Sequence, residues 1–526
     1  MSDLFTEKVG EEPKGTSNAS DTEVVADSFS EKAEQATEQF SDEQYPQGLK
    51  LIALAGASLS AVFLIALDQT IVGTAIPKIT AEFNGLDDVS WYAAAYFMTF
   101  GAAQTSAGKI YKFFNLKWTF LWSMLIFEVG SLICGVAPTS KALVAGRAIA
   151  GLGGAGLSVG VLGPLLGGAF TESVTWRWCF YINLPIGGLA AAAVVFFFHL
   201  PAAAAPPPAT WKERLLHIDP VGVVLVMGAI TCFILGLQYG GITHPWNSSV
   251  VIGLLVGFGV LSIALVTWEI WIGEYAMMMP RLYRRRSLSA TAPFQFFFMG
   301  SYIVLLYYLP LYFQSILGVS PIRSGVNNLP LMASAAVFAL VGGIVVMKTG
   351  RAQLVMMLGS MVTTAAIGLI YTLDIGTSTA RWAGYQVFVG SVMSFAIMHG
   401  LAVAQADVGP EDLSAVTSNL LFFQTVGGAF STSIGQSVFV NRLLLALAES
   451  APGVDPNLVL FTGASDLQHV FSEGVLPGVL KAYMVGLKGS FAVAIAFCGC
   501  AFLISLAIPM KKLPSHEPGQ GPVAMA

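Results

Sequence analysis

Three ionisable side chains lie inside long apolar stretches of the sequence. Asp68 interrupts LDQTIVGTAIP, Glu128 lies in FLWSMLIFEVGSLICG, and Arg147 lies in LVAGRAIAGLGG. Because a charge in apolar surroundings is costly, each of the three is a candidate functional group. Two acids and a base in one half of a chain suit a proton relay. The residues also allow a structural ion pair, or a carboxylate–backbone contact, that locks three helices together.

The elements that must position these residues are apolar blocks. Of the 526 residues, 55% are hydrophobic and only 11% are charged. A helix of about 20 apolar residues crosses the hydrocarbon core of a membrane, so we expect an all-α polytopic membrane protein. The thirteen blocks that meet this length lie at about 50–77, 89–111, 118–138, 142–171, 178–200, 218–240, 248–272, 291–318, 325–347, 352–373, 382–404, 415–440 and 486–509.

Clusters of lysine and arginine predict the orientation, because cytosolic loops carry the excess of these residues. Such clusters follow the second, fifth, seventh, ninth and last blocks. The polar tail 1–46 is strongly acidic, so we expect it to be disordered and cytosolic. The expected divisions are this tail, an N-terminal helix bundle 50–200 shortened around 150–165, a cytosolic linker 201–217, two additional helices 218–272, a C-terminal bundle 291–509 with an outward loop 441–485, and a cytosolic tail 510–526.

One interval breaks the alternation of basic loops. Only three blocks lie between Lys117 and Lys212, whereas two cytosolic loops must be separated by an even number of crossings. The 35 residues between Lys141 and Arg177 are too few for two spans, which need about 40 residues plus a turn. We therefore expect the segment 146–170 to be distorted or re-entrant, or to lack a few tens of residues.

The same segment contains a glycine pattern with two explanations. Residues 151–156 match the Gly-x-Gly-x-x-Gly pattern of dinucleotide-binding loops, but that loop requires a preceding strand and a βαβ unit. Close helix packing fits the apolar surroundings better, because small residues let membrane helices approach. The sequence contains no nucleophile–base set, metal cluster or phosphate loop in a suitable context. We therefore expect no enzyme activity, no bound metal, no cofactor and no nucleic-acid partner.

Aromatic and amide side chains mark a candidate substrate cavity. The run 292–318 places tyrosines around Pro310, where we expect the helix to be broken and to line a pocket for a flat hydrophobic substrate. Lipid contact and interfacial anchoring are the alternative for such aromatics. Glu269 and Glu274 lie nearer a helix end and are expected only to reach interfacial water. The candidate cavity residues are Gln104, Tyr307, Tyr308, Tyr312, Gln314, Gln386 and Gln424.

Five motifs in order resemble those of the major facilitator superfamily, in particular the fourteen-span drug:proton antiporters of fungi. The resemblance covers about residues 50–510. The motifs are LDQTIVGTAIP at 67–77, GKIYKFFNLK at 108–117, Leu143-x-x-x-Arg147-x-x-x-Gly151-x-Gly153, GPLLGG at 163–168 and WRWCFYINLP at 176–185. In two places the chain departs from the family pattern: Lys112 stands where the loop motif has an acid, and the fourth and fifth helices are fused.

The resemblance implies two six-helix bundles with two extra helices between them, and a substrate site at mid-membrane that opens to alternate faces. It assigns Arg147 a role in proton transfer. It also implies an antiporter hinge at Gly163, Pro164, Gly167 and Gly168.

We expect a monomeric exporter of small amphipathic compounds, such as toxins or drugs, that is driven by the proton gradient. The expected location is the plasma membrane, with the vacuolar membrane as the alternative. Import of an iron chelate, or a non-transporting or defective membrane protein, are the other functions that the sequence allows.

Overall fold

The described part of the chain is almost entirely helical. The computed structural model describes residues 89–159, 177–198, 209–397, 399–462, 464 and 467–512, and shorter runs at 53–54, 56–61, 63–65, 67–68, 79 and 82–83. Helical residues between 53 and 68 form a first helical stretch. Within the described residues, the one β-bridge outside a strand joins Gly240 and His244.

In the described part of the chain, fourteen helices of seven residues or more follow the first helical stretch. They are α1 (Val89–Phe113), α2 (Leu116–Val136), α3 (Ser140–Val159), α4 (Asn183–Phe197), α5 (Trp211–Ile218), α6 (Pro220–Tyr239), α7 (Ser249–Ile272), α8 (Arg286–Ser315), α9 (Pro321–Thr349), α10 (Ala352–Tyr371), α11 (Thr379–Ile397), α12 (His399–Gln405), α13 (Leu413–Ser450) and α14 (Leu476–Ser505). Shorter helical turns lie at Trp178–Tyr181, Gly273–Tyr275, Pro280–Tyr283, Pro410–Asp412, Pro456–Phe461 and Leu467–Val470.

The helices confirm the prediction of a polytopic all-α membrane protein. Eight helical segments in the described residues are long and apolar enough to cross a membrane. The block predicted at 248–272 is α7, and it leaves Val260, Ile263 and Trp271 largely exposed. Such an apolar outer surface is what a lipid-facing helix presents, because hydrocarbon rather than water surrounds it.

Two helices run further than the apolar blocks that predicted them. The outward loop was expected at 441–485, but α13 continues to Ser450 and α14 already begins at Leu476. Arg442, Glu449 and Lys481 end the apolar stretches without ending the helices, because arginine, glutamate and lysine are good helix formers. The loop between the two helices is therefore shorter than predicted.

Local sequence explains two further differences from the expected elements. The predicted linker contains helix α5, whose first turn is held by a capping box between Thr210 and Glu213. Helix α8 is not broken at Pro310, as the sequence had suggested, but is continuous from Arg286 to Ser315. A proline is tolerated inside a packed membrane helix because neighbouring groups can compensate for its missing N–H. Ser324 of α9 packs against this part of α8, and its Oγ donates to the Pro310 carbonyl at 2.8 Å.

The helices pack as two groups with a pair between them. In the N-terminal group, α3 packs on both α1 and α2, and α4 packs on α2. In the C-terminal group, α8, α9, α10, α11, α13 and α14 enclose the largest apolar core. The two additional helices predicted at 218–272 are α6 and α7. Helix α6 lies against both α1 and α13, and α7 packs on α6.

Candidate functional site

Glycines of α3 allow the close packing that positions Arg147. A side chain at Gly151 would collide with the Tyr96 carbonyl of α1, and one at Gly153 would collide with the Phe127 backbone of α2. Helix α3 is therefore wedged between α1 and α2, with Arg147 one turn before these contacts. The glycine pattern at 151–156 acts in close helix packing, as the sequence favoured, and lies within a helix rather than in a strand–loop unit.

Arg147 and Asp68 form a buried ion pair. Arg147 Nη1 donates to Asp68 Oδ2, and the two side chains are 1% and 0% exposed. The same guanidinium donates through Nε to the Tyr92 carbonyl at 2.8 Å and lies 4.4 Å from the centre of the Tyr96 ring. One arginine thus joins α3, α1 and the first helical stretch. The ion pair that the sequence allowed, as the alternative to a proton relay, is therefore present.

Unsatisfied polar atoms surround this ion pair. Among the described residues, no partner reaches Asp68 Oδ1, Arg147 Nη2 or either carboxylate oxygen of Glu128. Glu128 lies within electrostatic range of Asp68, and its carboxylate presses against Gly187 of α4. Asn183 faces Asp68 and has a buried, unpartnered Oδ1. A purely structural lock satisfies its buried polar groups, so these free atoms leave positions for a proton or a water molecule.

Three of the predicted cavity residues lie where the two helix groups approach each other. Gln104 of α1 accepts a hydrogen bond from Thr425 of α13, with a donor–acceptor distance of 2.8 Å. Gln424 is the half-buried neighbour of Thr425. Tyr307 of α8 is within electrostatic range of Arg147. Gln104, Gln424 and Tyr307 therefore stay the candidates for a substrate that enters between the groups.

The other four predicted cavity residues make hydrogen bonds within the C-terminal group. Tyr308 OH donates to Gln436 Oε1 at 3.2 Å, and Tyr312 OH donates to the Asp374 carbonyl at 3.1 Å. Gln314 donates to Ser324 Oγ at 3.5 Å, and Gln386 donates to the Asn327 carbonyl at 3.0 Å. The structure brings none of these four into the described surroundings of Asp68 and Arg147.

Helices α1 and α13 meet tightly at one end of the molecule. Ser414 Oγ donates to the Gly108 carbonyl at 3.0 Å, and Ser418 Oγ donates to the Thr105 carbonyl at 3.4 Å. A side chain at Gly108 would collide with Ser418. We call this end the basic side. The residues that define it are Lys109, Lys112, Arg281, Arg285 and Lys511.

An ion-pair network surrounds the contact between α1 and α13. The buried Asp412 accepts two hydrogen bonds from Arg281, at 3.0 and 3.1 Å, and lies 4.0 Å from Lys112. The hydrogen bond to Asp412 raises the pKa of Arg281 above its ordinary value, so the cation is retained. The acid expected of the loop motif is absent at Lys112, but a carboxylate from the start of α13 meets that lysine instead.

One predicted motif lies outside the described residues, and two residues of the site were not predicted. The hinge motif Gly163, Pro164, Gly167 and Gly168 lies outside the described residues. The roles of Asp412 and Asn183 were not predicted. The sequence did contain a signal for Asn183, because it stands in the motif WRWCFYINLP. It contained none for Asp412, whose partners Arg281 and Lys112 are far from it along the chain.

Comparisons with known proteins agree with this architecture. A family model described as the Major Facilitator Superfamily matches residues 58–161 and, separately, residues 154–432. The two matches meet at 154–161, directly before the motif at 163–168. The alignment with one relative, thnB, runs over 497 residues although it covers 89% of this 526-residue chain, so the relative has positions with no counterpart here.

Several fungal relatives cover nearly the whole chain. The MFS-type transporter thnB of Trichoderma harzianum is 53% identical over 89% of this chain and 86% of its own length. The probable efflux pump gsfJ of Penicillium aethiopicum is 45% identical, covering 90% of each chain. The MFS-type efflux pump MFS1 of Trichophyton rubrum is 37% identical over 92% of this chain and 96% of its own.

Solved structures share the fold. The human organic anion transporter MFSD10 aligns with a TM-score of 0.53 and 12% identity, covering 87% of this chain and 100% of the solved one. A peptide transporter of the POT family, in an autoinhibited state, aligns with a TM-score of 0.52 and 14% identity, covering 88% and 96%. At such low identity the likeness extends to the fold alone.

Proposed function

The chain belongs to the major facilitator superfamily and is a multi-pass membrane transporter rather than an enzyme, and on this premise we propose that it exports small amphipathic organic compounds in exchange for protons. Two of the fungal relatives carry the words efflux pump in their names. Toxins, drugs and secondary metabolites are the proposed substrate class. The proposed energy source is the proton gradient, and the proposed functional unit is a monomer.

The buried pair of Asp68 and Arg147 is the observation that carries the proposal. A proton arriving at Asp68 binds Oδ1, which has no partner among the described residues, and removes the negative charge that Arg147 Nη1 contacts. The guanidinium is then a buried cation without its counter-ion, which is costly in an apolar interior. Glu128 lies within electrostatic range and can accept or pass on the proton. Protonation therefore favours a different position of Arg147.

A shift of Arg147 reaches the rest of the molecule through α1. The guanidinium binds the Tyr92 carbonyl and lies on the Tyr96 ring, and both residues belong to α1. The other end of the same helix closes against α13 on the basic side, through Gly108 and its neighbours. A proton can drive transport only if it binds the two states of the protein with different affinity. The shared helix α1 supplies that difference.

The charge of the loops gives the proposed orientation, whereas the proposed direction of export rests on the efflux-pump names of the relatives. Lysine and arginine are in excess in cytosolic loops, so the basic side faces the cytosol. The described contacts between α1 and α13 then close the cytosolic side, and substrate leaves on the opposite side. We place the protein in the plasma membrane, where protons run inward while substrate runs outward.

Transport in sealed vesicles of known orientation tests the proposal. The vesicles carry an imposed pH gradient, and a panel of amphipathic fluorescent dyes and antifungal compounds is offered. We expect accumulation inside inside-out vesicles that have an acidic lumen, and loss of that accumulation when a protonophore is added. Accumulation inside right-side-out vesicles would instead identify an importer, for example of an iron chelate.

A second candidate function is a membrane protein that no longer transports. Two observations favour it. The two separate family matches overlap at 154–161, and the relative thnB has positions with no counterpart in this chain. Sequencing of the transcript distinguishes the two functions together with the vesicle assay. If the transcript contains additional codons near position 157, we expect the longer chain to transport. If it does not and no compound moves, the chain is not a transporter in its present form.

A further inference from the structure

A second group of buried charges lies on the basic side, away from Asp68. Asp219 joins α5 to α6 and is fully buried, with a positive φ of 52°. Glu269 lies near the end of α7 and is 5% exposed, whereas the sequence had placed it in interfacial water. Lys109 of α1 is 3% exposed. Glu269 is buried because α6 and the turn after α7 cover the end of α7, which would otherwise face water.

Both carboxylate oxygens of Asp219 accept hydrogen bonds. Its Oδ1 accepts from the Gly222 amide at 2.9 Å and from Trp268 Nε1 at 2.8 Å, and its Oδ2 accepts from the Met277 amide at 3.2 Å. Oδ2 receives one of these three bonds and has a remaining lone pair.

Glu269 has the opposite surroundings. Its Oε2 accepts one hydrogen bond, from the Met278 amide at 3.0 Å, and its Oε1 is buried with no partner among the described residues. This oxygen points at Asp219. A methyl group at Gly222 would lie 3.0 Å from Glu269 Oε1 and would also collide with Asp219 Oδ2. The two carboxyl groups therefore face each other across the bare Cα of Gly222.

The charges near the pair do not balance two carboxylates. Lys109 is the cation that faces both acids, and its Nζ donates to the Glu274 carbonyl at 2.9 Å. Glu274 on the neighbouring turn is already paired, because Arg281 Nε donates to its two oxygens at 3.1 and 3.2 Å. Tyr283 faces Glu269 from the helical turn Pro280–Tyr283. More distant are Lys112 on α1 and His217 on α5, which stacks on Phe113.

We propose that Asp219 and Glu269 form a second proton-binding site, in which a proton on Glu269 Oε1 donates to Asp219 Oδ2. The shared proton satisfies Glu269 Oε1, which has no partner among the described residues. It also leaves one negative charge against the one positive charge of Lys109, and avoids two carboxylates side by side, which is strongly disfavoured.

The site joins three parts of the protein. Asp219 begins α6, Glu269 ends α7, and Lys109 belongs to α1, whose neighbouring Ser106 donates to the Ile218 carbonyl at 2.8 Å. A movement of α1 carries Lys109 relative to both carboxyl groups. By thermodynamic reciprocity, proton binding at the pair and the position of α1 then influence each other. The two additional helices thereby gain a role in proton binding.

Infrared difference spectroscopy of the purified full-length protein tests this site without any transported substrate. Spectra are compared between about pH 5 and about pH 9, a range that brackets neutrality. We expect a carbonyl band of a protonated carboxylic acid that Glu269→Gln lacks. Asp219→Asn should keep the band at a shifted frequency, because an amide replaces the carboxylate acceptor. Glu213→Gln, which changes an exposed acid on α5, is the matched control and should match the wild type.

An unchanged band in Glu269→Gln, or an unshifted one in Asp219→Asn, would overturn the proposal. Should Glu269→Gln fail to fold, the wild-type protein still supplies a test through Trp268, which donates to Asp219. The fluorescence of the wild type minus that of Trp268→Phe is expected to change with pH, and a pH-independent difference would contradict the site. Because neither readout requires transport, failure here is distinct from failure of the proposed export.

Discussion

The N-terminal and C-terminal helix groups use polar residues in different ways. In the N-terminal group, Asp68 and Arg147 are buried and Glu128 beside them is half-buried, and several of their atoms have no partner among the described residues. In the C-terminal group the interior contacts described above are neutral, such as the hydrogen bond from Tyr308 to Gln436. Its ion pair between Asp374 and Lys488 is partly exposed, and Asp374 lies just after the end of α10. A neutral polar group keeps its state as protons come and go, whereas a carboxylate can bind one. On the proposed mechanism, the N-terminal group therefore senses the proton.

Removing the acid of the buried ion pair is expected to have the largest effect. In Asp68→Asn, Arg147 remains a buried cation without its partner, which costs about 3–5 kcal/mol. We expect proton-coupled transport to fall to background. Transport in vesicles and the thermal stability of the purified protein measure the two effects.

Asp374→Asn is the matched control, because it removes one aspartate from the C-terminal ion pair and leaves Asp68 intact. Asp68→Asn combined with Arg147→Gln should recover much of the lost stability but none of the coupling. Full proton-coupled transport by Asp68→Asn would erase the distinction between the two groups.

The contact that joins the two groups is expected to come next. In Gly108→Ala the added methyl collides with Ser418 and with the Ser414 carbonyl, so α1 and α13 cannot close on the basic side. We expect transport to drop at least about tenfold while stability falls by about 1–3 kcal/mol, the usual cost of overpacking. A cysteine introduced on the basic side should become more accessible to a water-soluble thiol reagent.

Gly56→Ala serves as the control for Gly108→Ala, because a methyl group at Gly56 meets open space. If Gly108→Ala transports at the wild-type rate and shows the same accessibility, closure of α1 against α13 is not part of the cycle.

Replacing Glu128, the second acid of the N-terminal group, should have a milder effect. Both oxygens of Glu128 lack a described partner, so Glu128→Gln removes an unsatisfied charge and breaks no ion pair. We expect stability to be unchanged or slightly higher, by about 1 kcal/mol. If Glu128 passes protons to Asp68, the rate of transport should fall several-fold and its pH profile should change shape. A wild-type pH profile would leave Asp68 and Arg147 as the whole relay.

The smallest effect is expected at the outward end of the C-terminal group. The hydrogen bond from Lys488 lowers the pKa of Asp374 below its ordinary value. The folded protein therefore gains stability from this group above the unfolded pKa of about 3.9, and loses it as the pH falls through the lower folded value. Because Asp374 is exposed, Asp374→Asn should cost no more than about 1 kcal/mol. A larger cost, measured by thermal unfolding at neutral pH, would mean that this group also depends on buried charge.

Apolar length was enough to predict most of the helices. The blocks at 248–272 and 352–373 became α7 and α10 within a few residues, because about 20 consecutive apolar residues leave few alternatives. The same rule failed at the ends of α13 and α14, where charged residues continue the helix outside the apolar block. Hydropathy records where the membrane ends, not where the helix ends.

The candidate site was predictable only in part, for a physical reason. Asp68 and Arg147 stand out because a charge in an apolar stretch is conspicuous in one dimension. The burial of Glu269 depends on α6 and on the turn after α7, and the partner of Lys112 comes from Asp412. Both are tertiary facts that no local pattern contains. The tyrosines at 308 and 312 were likewise chosen by residue type, and their partners lie within their own helix group.

Proton movement driven by substrate tests the central claim most directly. The purified protein is placed in liposomes with a pH-sensitive dye inside, and an exported compound from the vesicle assay is added. The account predicts that the wild type moves protons against the compound and that Asp68→Asn moves none, although Asp374→Asn behaves as the wild type. Equal proton movement by Asp68→Asn and the wild type would contradict proton coupling through the buried pair of Asp68 and Arg147.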